Sequence, residues 1–428
     1  MGLTRALPAG LLDAGSAALA TFVTGVYAAN YFDRESGELG VYALFFSIFL
    51  VAAIVPHKLA FLPGEVRLLS LPRPEQLGGF RLTLPAGVPV ALGGSLVVLI
   101  ALIPAGDAGA SLLFPLAITT VITGFLSPIQ DHVRRVMHQA GRSWLAATTS
   151  IVQLSTAIVA IGLGIALDID KAWIPFGALV AANAISTSTG LILAYRNSQP
   201  AHGERYRLRT LGVSGRWLTG YGLLPVGATF LAASIVALVA GKDILGSAEA
   251  ARVAGRPVLV FMAGLAAIMN PPSLIAGRDR NRAEGRRLSG IAWRLMLLFG
   301  VVMFIWMGFD WVGNPMVWLV EEAFTVEFLT AVTILTNTFW GMWFSDESQL
   351  IGGGREVDIF KVFVLAAIVQ IAVAFTAPVT ESFAIPLSLL GFGIVRWFGY
   401  RWSLRRLYAE PQQAPAETNP PAPTLSAG

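Results

Sequence analysis

The sequence predicts an all-α polytopic membrane protein: about twelve transmembrane helices in two six-helix bundles related by a pseudo-two-fold axis along the membrane normal. Three observations predict it: a shortage of charge, twelve apolar segments of spanning length, and arginines gathered in alternate loops. Of 428 residues, 55% are hydrophobic and 13% charged, whereas a hydrated surface ordinarily needs about 25%. A surface this poor in charge faces lipid. There is no cysteine, which excludes disulfides, thiolate metal sites and cysteine nucleophiles.

Crossing about 30 Å of hydrocarbon takes roughly 20 mostly apolar residues at 1.5 Å each. Segments near 8–30, 40–62, 82–104, 111–130, 144–167, 173–195, 218–240, 256–276, 288–309, 325–345, 357–377 and 382–400 meet this. The fourth and tenth, rich in Thr and ending in polar residues, are the weakest. The first runs on for longer than a signal-peptide core and reads as a span.

The loops set the orientation. Arginines cluster at Arg67, Arg73 and Arg81, at Arg134, Arg135 and Arg142, and at Arg196, Arg205, Arg207, Arg209 and Arg216. They recur at Arg278, Arg280, Arg282, Arg286 and Arg287, at Arg355, and at Arg401, Arg405 and Arg406. The intervening loops hold Arg34, Lys171 and one blemish, the trio Lys242, Arg252 and Arg256. The positive-inside rule puts the rich loops and both termini in the cytoplasm of a bacterial inner membrane. The basic balance is thereby explained by topology, and no nucleic-acid partner is expected. Residues 409–428, rich in Pro, Ala and Thr, are expected to be a disordered cytoplasmic tail.

The halves repeat weakly. Ala52-Ala53-Ile54-Val55-Pro56 has a counterpart in Ala266-Ala267-Ile268-Met269-Asn270 (266 − 52 = 214). Gly141-Arg142 returns as Gly354-Arg355 (355 − 142 = 213), and Ile151-Val152-Gln153 as Ile368-Val369-Gln370 (370 − 153 = 217). Six spans joined to six give halves of one orientation, as in parallel-repeat transporters. The expected division is 1–195 and 218–408 for the bundles, with 196–217 as a basic linker. Such bundles leave a central cleft able to open to either side.

Gly40-Val41-Tyr42-Ala43-Leu44 after a short polar loop, Pro128-Ile129-Gln130-Asp131, Arg134-Arg135-Val136-Met137 and Ala140-Gly141-Arg142 resemble the Wzx-like polysaccharide flippases of the multidrug/oligosaccharidyl-lipid/polysaccharide (MOP) superfamily. The resemblance covers the span pattern from about 8 to 405 and carries over no site residue. It implies a MATE/MOP-like fold, a V-shaped central cavity, and translocation of polyprenyl-linked sugars by alternating access. It further implies a lipid-linked glycan as substrate and a glycan polymerase or ligase as partner in cell-envelope assembly. Carboxylates within spans are few, a departure from the cation-coupled drug-exporter branch of the superfamily.

Ionisable groups inside the membrane need a reason, since each costs roughly 2.5–3.5 kcal/mol at the bilayer centre. Asp13 in the first span is either a helix-start carboxylate or a cavity group coupling transport to H+ or Na+. His57 and Lys58, after Pro56, either snorkel or form a cationic lip that binds a phosphate oxyanion. Arg294, beside Trp293, offers the same choice. Asn183, Asn270, Asn337, Gln153 and Gln370 lie deeper, as glue between helices or as sugar-binding amides. The segment Asp131 to Ser143 either lies on the inner leaflet as an amphipathic helix or marks topology. No phosphate-binding loop of the G-x-x-x-x-G-K-[ST] kind is present, and no cofactor is expected. An ion-coupled exporter of drugs or metabolites shares the predicted fold. A membrane glycosyltransferase would need acidic loops larger than those holding Asp33, Glu35 and Glu38, or Glu321 and Glu322, so a transporter or a scaffold is expected rather than an enzyme.

Overall fold

A computed structural model of the chain describes residues 3–68, 71–202 and 205–409; the rest of the expected tail lies outside the described residues. No strand occurs among them. The first half consists of α1 (Leu3–Tyr31), α2 (Glu38–Leu68), α3 (Leu77–Leu102), α4 (Ala110–Gln139), α5 (Ser143–Ala166) and α6 (Lys171–Asn197). The second consists of α7 (Leu208–Val239), α8, α9 (Arg282–Met307), α10, α11 (Glu356–Ala374) and α12 (Ala377–Ala409). Ten of these are long and apolar enough to cross a membrane. The other two are broken: α8a (Lys242–Ala254) continues at Gly255 into α8b (Arg256–Arg278), and α10a (Leu329–Gly341) is followed by α10b (Phe344–Gly352).

These differences from the sequence expectation have physical causes. The fourth span, expected to be weak, is one continuous helix through Pro115 and Pro128. Two of its three threonines satisfy themselves inside the helix: the Thr119 hydroxyl donates to the Pro115 carbonyl at 2.6 Å and Thr123 to the Thr119 carbonyl at 2.7 Å, so their polarity costs little in an apolar setting; the Thr120 hydroxyl is buried without a partner. The Asp131–Ser143 segment does not form a separate surface helix. It is mostly the end of α4, with Val133, Val136 and Met137 buried. The eighth span begins fourteen residues earlier than its apolar stretch suggests, at Lys242. Its first segment is amphipathic, and its polar face is covered by the other half of the molecule.

Packing repeats between the halves. α1 packs on α5 as α7 does on α11; α5 packs on α6 as α11 does on α12; and α3 packs on α4 as α9 does on α10. The backbone repeats too. Gly141 and Gly354 both take positive φ (74° and 70°) in the turns before α5 and α11. Asp168 and Glu381, again 213 positions apart (381 − 168), do the same (52° and 49°). The Gln153 and Gln370 match, four residues out of this register, is coincidental.

The halves meet along α2, whose residues Leu39 to Phe49 are all buried. α2 lies against α7 and α8a, and α1 lies against α8. Glycine permits the close approaches. Side-chain carbons built on Gly40 and Gly215 would fall 1.9 Å from the Lys242 carbonyl oxygen and 2.4 Å from that of Leu59, so the helices touch backbone to backbone. Past Pro56, α2 widens into a π turn over His57–Phe61, a local irregularity that often marks functional positions.

Candidate functional site

The π turn of α2 aims His57 and Lys58 at the boundary between the halves. Lys58 Nζ stands 5.8 Å over the Tyr221 ring of α7, and its stem packs against Gly222. Among the described residues it has no carboxylate within ion-pair distance. Arg135 of α4 donates to His57 Nδ1 at 2.7 Å and lies 3.8 Å from Asp131. Sequence reading assigned Arg135 to a loop; the structure makes it a neighbour of His57.

A second cationic group lies deeper on the same boundary. On α8a, Arg252 donates to both carboxylate oxygens of Glu249 at 2.6 Å, while Arg256 approaches the same carboxylate only to 3.9 Å. Both guanidiniums stack over the Phe46 ring of α2, at 4.7 and 4.6 Å. Arg256 also reaches α1, donating to the Thr21 carbonyl at 2.6 Å; its Nη2 is buried without a partner. Two positive charges thus share one negative in a nearly water-free place. Beside them Ser47, Thr229, Glu249, Arg252, Gln370 and Ser388 border a cavity of about 20 Å³, room for about one water molecule. The Gln370 carbonyl oxygen is buried there without a partner. These arginines are the blemish of the sequence pattern. The signal that could have found them is Glu249, Arg252 and Arg256 at helical spacing on one face.

At the arginine-poor end the halves are latched. Arg34 of the α1–α2 loop lies 3.5 Å from Glu322 and donates to Thr325 at 3.0 Å and Ser247 at 3.3 Å. Asn30 donates to the Leu319 carbonyl at 2.6 Å, and Lys242 pairs with Asp107. This end is closed.

The remaining predicted residues fall elsewhere. Asp13 is buried inside the first half, accepting from Arg134 Nε and Nη2 at 2.8 Å each, from Ser150 at 2.5 Å, and in contact with His138 at 2.9 Å. Asn183 ends a buried amide chain across α4, α5 and α6: Gln130 donates to Gln153 at 3.1 Å, and Gln153 to Asn183 at 2.8 Å. Asn270 accepts from Ser348 at 2.9 Å, joining α8b to α10b. Asn337 donates to the Gly255 carbonyl at 3.2 Å, filling a bond that the α8 break leaves open. Arg294 is exposed on the flank of the second half, with Arg401 and Arg405. Of the predicted residues, His57 and Lys58 are therefore together at the boundary, and Gln370 lies beside the arginine pair there.

One charged constellation was missed entirely. Glu347 of α10b accepts from Tyr221, from Arg396 at 2.5 Å and from Tyr400 at 2.9 Å. Arg396 is 3% exposed and also donates to the Trp340 carbonyl at 3.2 Å. Tyr221 thus touches both Lys58 of one half and Glu347 of the other.

No protein-family model matches this sequence, and no curated protein does. Solved structures do match in fold. The chain is similar to a multidrug resistance MATE family transporter of the MOP superfamily in an inward-facing conformation, with TM-score 0.67 and 12% identity over 92% of this chain and 95% of that one. It is similar to a mutant of the Vibrio cholerae MATE transporter VcmN, with TM-score 0.64 and 15% identity over 95% and 98%. A MOP superfamily transporter from Pyrococcus furiosus, described as having a reversed binding-pocket polarity that suggests a different function, gives TM-score 0.60 and 12% identity over 95% of each chain. Across nearly its whole length, this chain has the fold of MOP-superfamily transporters.

Proposed function

We propose that the protein is an alternating-access transporter carrying a polyprenyl-phosphate- or pyrophosphate-linked glycan across the cytoplasmic membrane. The observation that supports this reading is the charge at the boundary between the halves: Lys58 has no carboxylate within ion-pair distance among the described residues, and Arg252 and Arg256 share one, Glu249. Buried charge without an equal countercharge is unfavourable, and a phosphate-bearing substrate supplies what is missing. A phosphorylated headgroup stripped of water needs such donors to cross hydrocarbon, while its polyprenyl chain stays in lipid. The two like-oriented halves, latched at one end, then rock about the site to change the side to which it opens.

On this reading the arginine-rich end and both termini are cytoplasmic, in a bacterial inner membrane. The driving force is a proton or sodium gradient, or consumption of the product outside by a glycan polymerase or ligase. The polarity described for the Pyrococcus furiosus transporter is in keeping with a fold whose cargo changes with the charge of its pocket.

The second reading, an ion-coupled exporter of organic cations, has its support in the multidrug transporters among the structural neighbours. Against it, Asp13 and Glu347 are each already held by an arginine. The test is reconstitution into liposomes with a fluorescent undecaprenyl-pyrophosphate disaccharide, read by access of a membrane-impermeant quencher. Translocation that falls about tenfold in Lys58→Gln and Arg256→Gln is expected. A wild-type protein that moves a cationic dye but leaves the glycolipid on its starting leaflet refutes the proposal.

A further inference from the structure

Between α9 and α12 on the outer flank of the second half, a groove of about 540 Å³ opens at the arginine-rich end. Arg282, Arg286 and Arg294 of α9 line it on one side, Arg401 and Arg405 of α12 on the other. None of the five has a carboxylate within ion-pair distance among the described residues. Arg401 makes a cation–π contact with Trp397, at 5.4 Å. The floor is polar and rigid. Gln349, 1% exposed, donates to Ser289 at 2.8 Å and accepts from Tyr408 at 2.6 Å. Asp346, the one acid lining the groove, is 6% exposed and takes the Ser289 hydroxyl. Trp343 adds a buried indole N–H with no partner.

The rule that puts arginine at inward span ends accounts for Arg282, Arg286, Arg401 and Arg405 but not for Arg294, which is twelve residues into α9, about 18 Å from its start. Nor does the fold demand it. The corresponding groove in the first half, between α3 and α6, is lined by Leu77, Phe80, Leu84, Pro85 and Pro89, and holds only two arginines, Arg81 and Arg205. Arg81 there lies over the Tyr195 ring, at 5.4 Å. Two grooves in equivalent places differ by three arginines, and the richer leaves its guanidiniums unpaired.

We infer that the α9–α12 groove is a lateral binding site for a lipid whose headgroup exposes phosphate. Five planar guanidiniums against one sequestered carboxylate leave a strong excess of donors suited to phosphate oxygens. Basic pockets between spans at such a depth suit anionic headgroups. The apolar continuation is present as well: Leu298, Val302 and Ile305 on α9, and Phe398 on α12, are exposed along the same two helices, where acyl chains would lie. Phosphate could equally come from a soluble anion; the exposed aliphatic flank favours the lipid. The site stands apart from the boundary between the halves, so this inference does not rest on what the protein transports.

Native mass spectrometry of the full chain in detergent tests it, with cardiolipin, phosphatidylcholine and inorganic pyrophosphate added separately. The expected result is cardiolipin retention at least tenfold above phosphatidylcholine, falling at least fivefold in Arg294→Gln/Arg401→Gln/Arg405→Gln. The corresponding lysine variant, which keeps charge but loses the planar fork, should retain an intermediate amount. Arg205→Gln/Arg207→Gln/Arg209→Gln, with the same charge loss elsewhere, should retain cardiolipin fully. Circular dichroism checks that each variant is folded. Equal retention by the wild type and the folded glutamine variant overturns the inference. So does tight pyrophosphate binding with no lipid retained, which would assign the groove to a soluble anion.

Discussion

Gly40→Ala should wedge the arginine-poor end of the molecule open. The added carbon would stand 1.9 Å from the Lys242 carbonyl oxygen and 2.7 Å from its carbon. Contacts below 3.0 Å essentially never occur, and both obstructing atoms are backbone, so no rotamer change relieves them. α8a must retreat by at least the difference, about 1.1 Å (3.0 − 1.9), carrying Lys242 away from Asp107 and Ser247 away from Arg34. Overpacking of this kind costs about 1–3 kcal/mol. On the alternating-access reading the cost falls on the closed arrangement, the one in which α2 and α8a touch at Gly40. A coupling of that size changes the ratio of two conformations about 5- to 150-fold. The chain lacks cysteine, so spin labels on Ser36→Cys and Glu327→Cys report one distance across the latch by double electron–electron resonance. Gly40→Ala should populate a longer distance. Gly246→Ala, whose carbon would meet the Gly40 nitrogen at 3.2 Å, should do so less, and Gly162→Ala, with nothing within 4 Å, not at all. A folded Gly40→Ala protein with an unchanged distance distribution refutes the claim that this contact holds the end shut.

Further outcomes follow from the buried charges. Asp13→Asn removes the bidentate partner of Arg134 and leaves it Asp131 at 3.0 Å; the change should cost about 1–3 kcal/mol, read as a fall in the melting temperature in detergent, and Asp13→Asn/Arg134→Met should recover much of the loss. Glu347→Gln should destabilise in the same direction by stranding Arg396, while Lys58→Gln should leave the melting temperature unchanged. In the α1–α2 loop, the Ser36 hydroxyl and the amides of Ser36 and Glu35 hold the exposed Asp33 carboxyl below the usual carboxylate range. A depressed carboxyl stabilises fully above about pH 4 and progressively less as pH falls through its folded value. Asp33→Asn should therefore flatten the acid limb of a melting-temperature profile measured between pH 2 and 5.

Most of the fold was legible because hydrocarbon imposes simple demands: every apolar stretch of spanning length became a helix or half of one. The repeat was legible in its turns, where Gly141 and Gly354 meet the same demand for positive φ, and not in its helices, where Ile-Val-Gln recurs by composition alone. The site was less readable. Lys58 and His57 were found because a lysine after a proline is conspicuous in a chain whose cations are nearly all arginine. Asp13 was found because a carboxylate inside an apolar span is conspicuous, yet its partners Arg134, His138 and Ser150 come from two other helices and no spacing announces them. Tyr221, Glu347 and Arg396 lie in or beside spans read simply as apolar, and only packing brings them together.

The eighth span shows why the misread stretch is also the informative one. Hydropathy scores each residue by its cost in lipid, and the positive-inside rule scores each arginine by its place relative to the bilayer. Both rules assume that a span's surroundings are lipid. α8a instead lies against α1 and α2, so Glu249, Arg252 and Arg256 can be helical, buried and charged at once. A helix of that kind reads as a loop with stray positive charge, which is how it read here. Its retention in the middle of the molecule costs stability unless something negative visits the boundary. The stray charge that spoils the topological pattern and the charge proposed to receive the substrate are consequently the same two arginines. Replacing both with methionine, together with Glu249→Gln so that no buried carboxylate is stranded, makes the distinction measurable: a purely structural group should yield an equally or more stable protein with transport intact, whereas a substrate-binding pair should yield a stable protein that no longer moves the glycolipid.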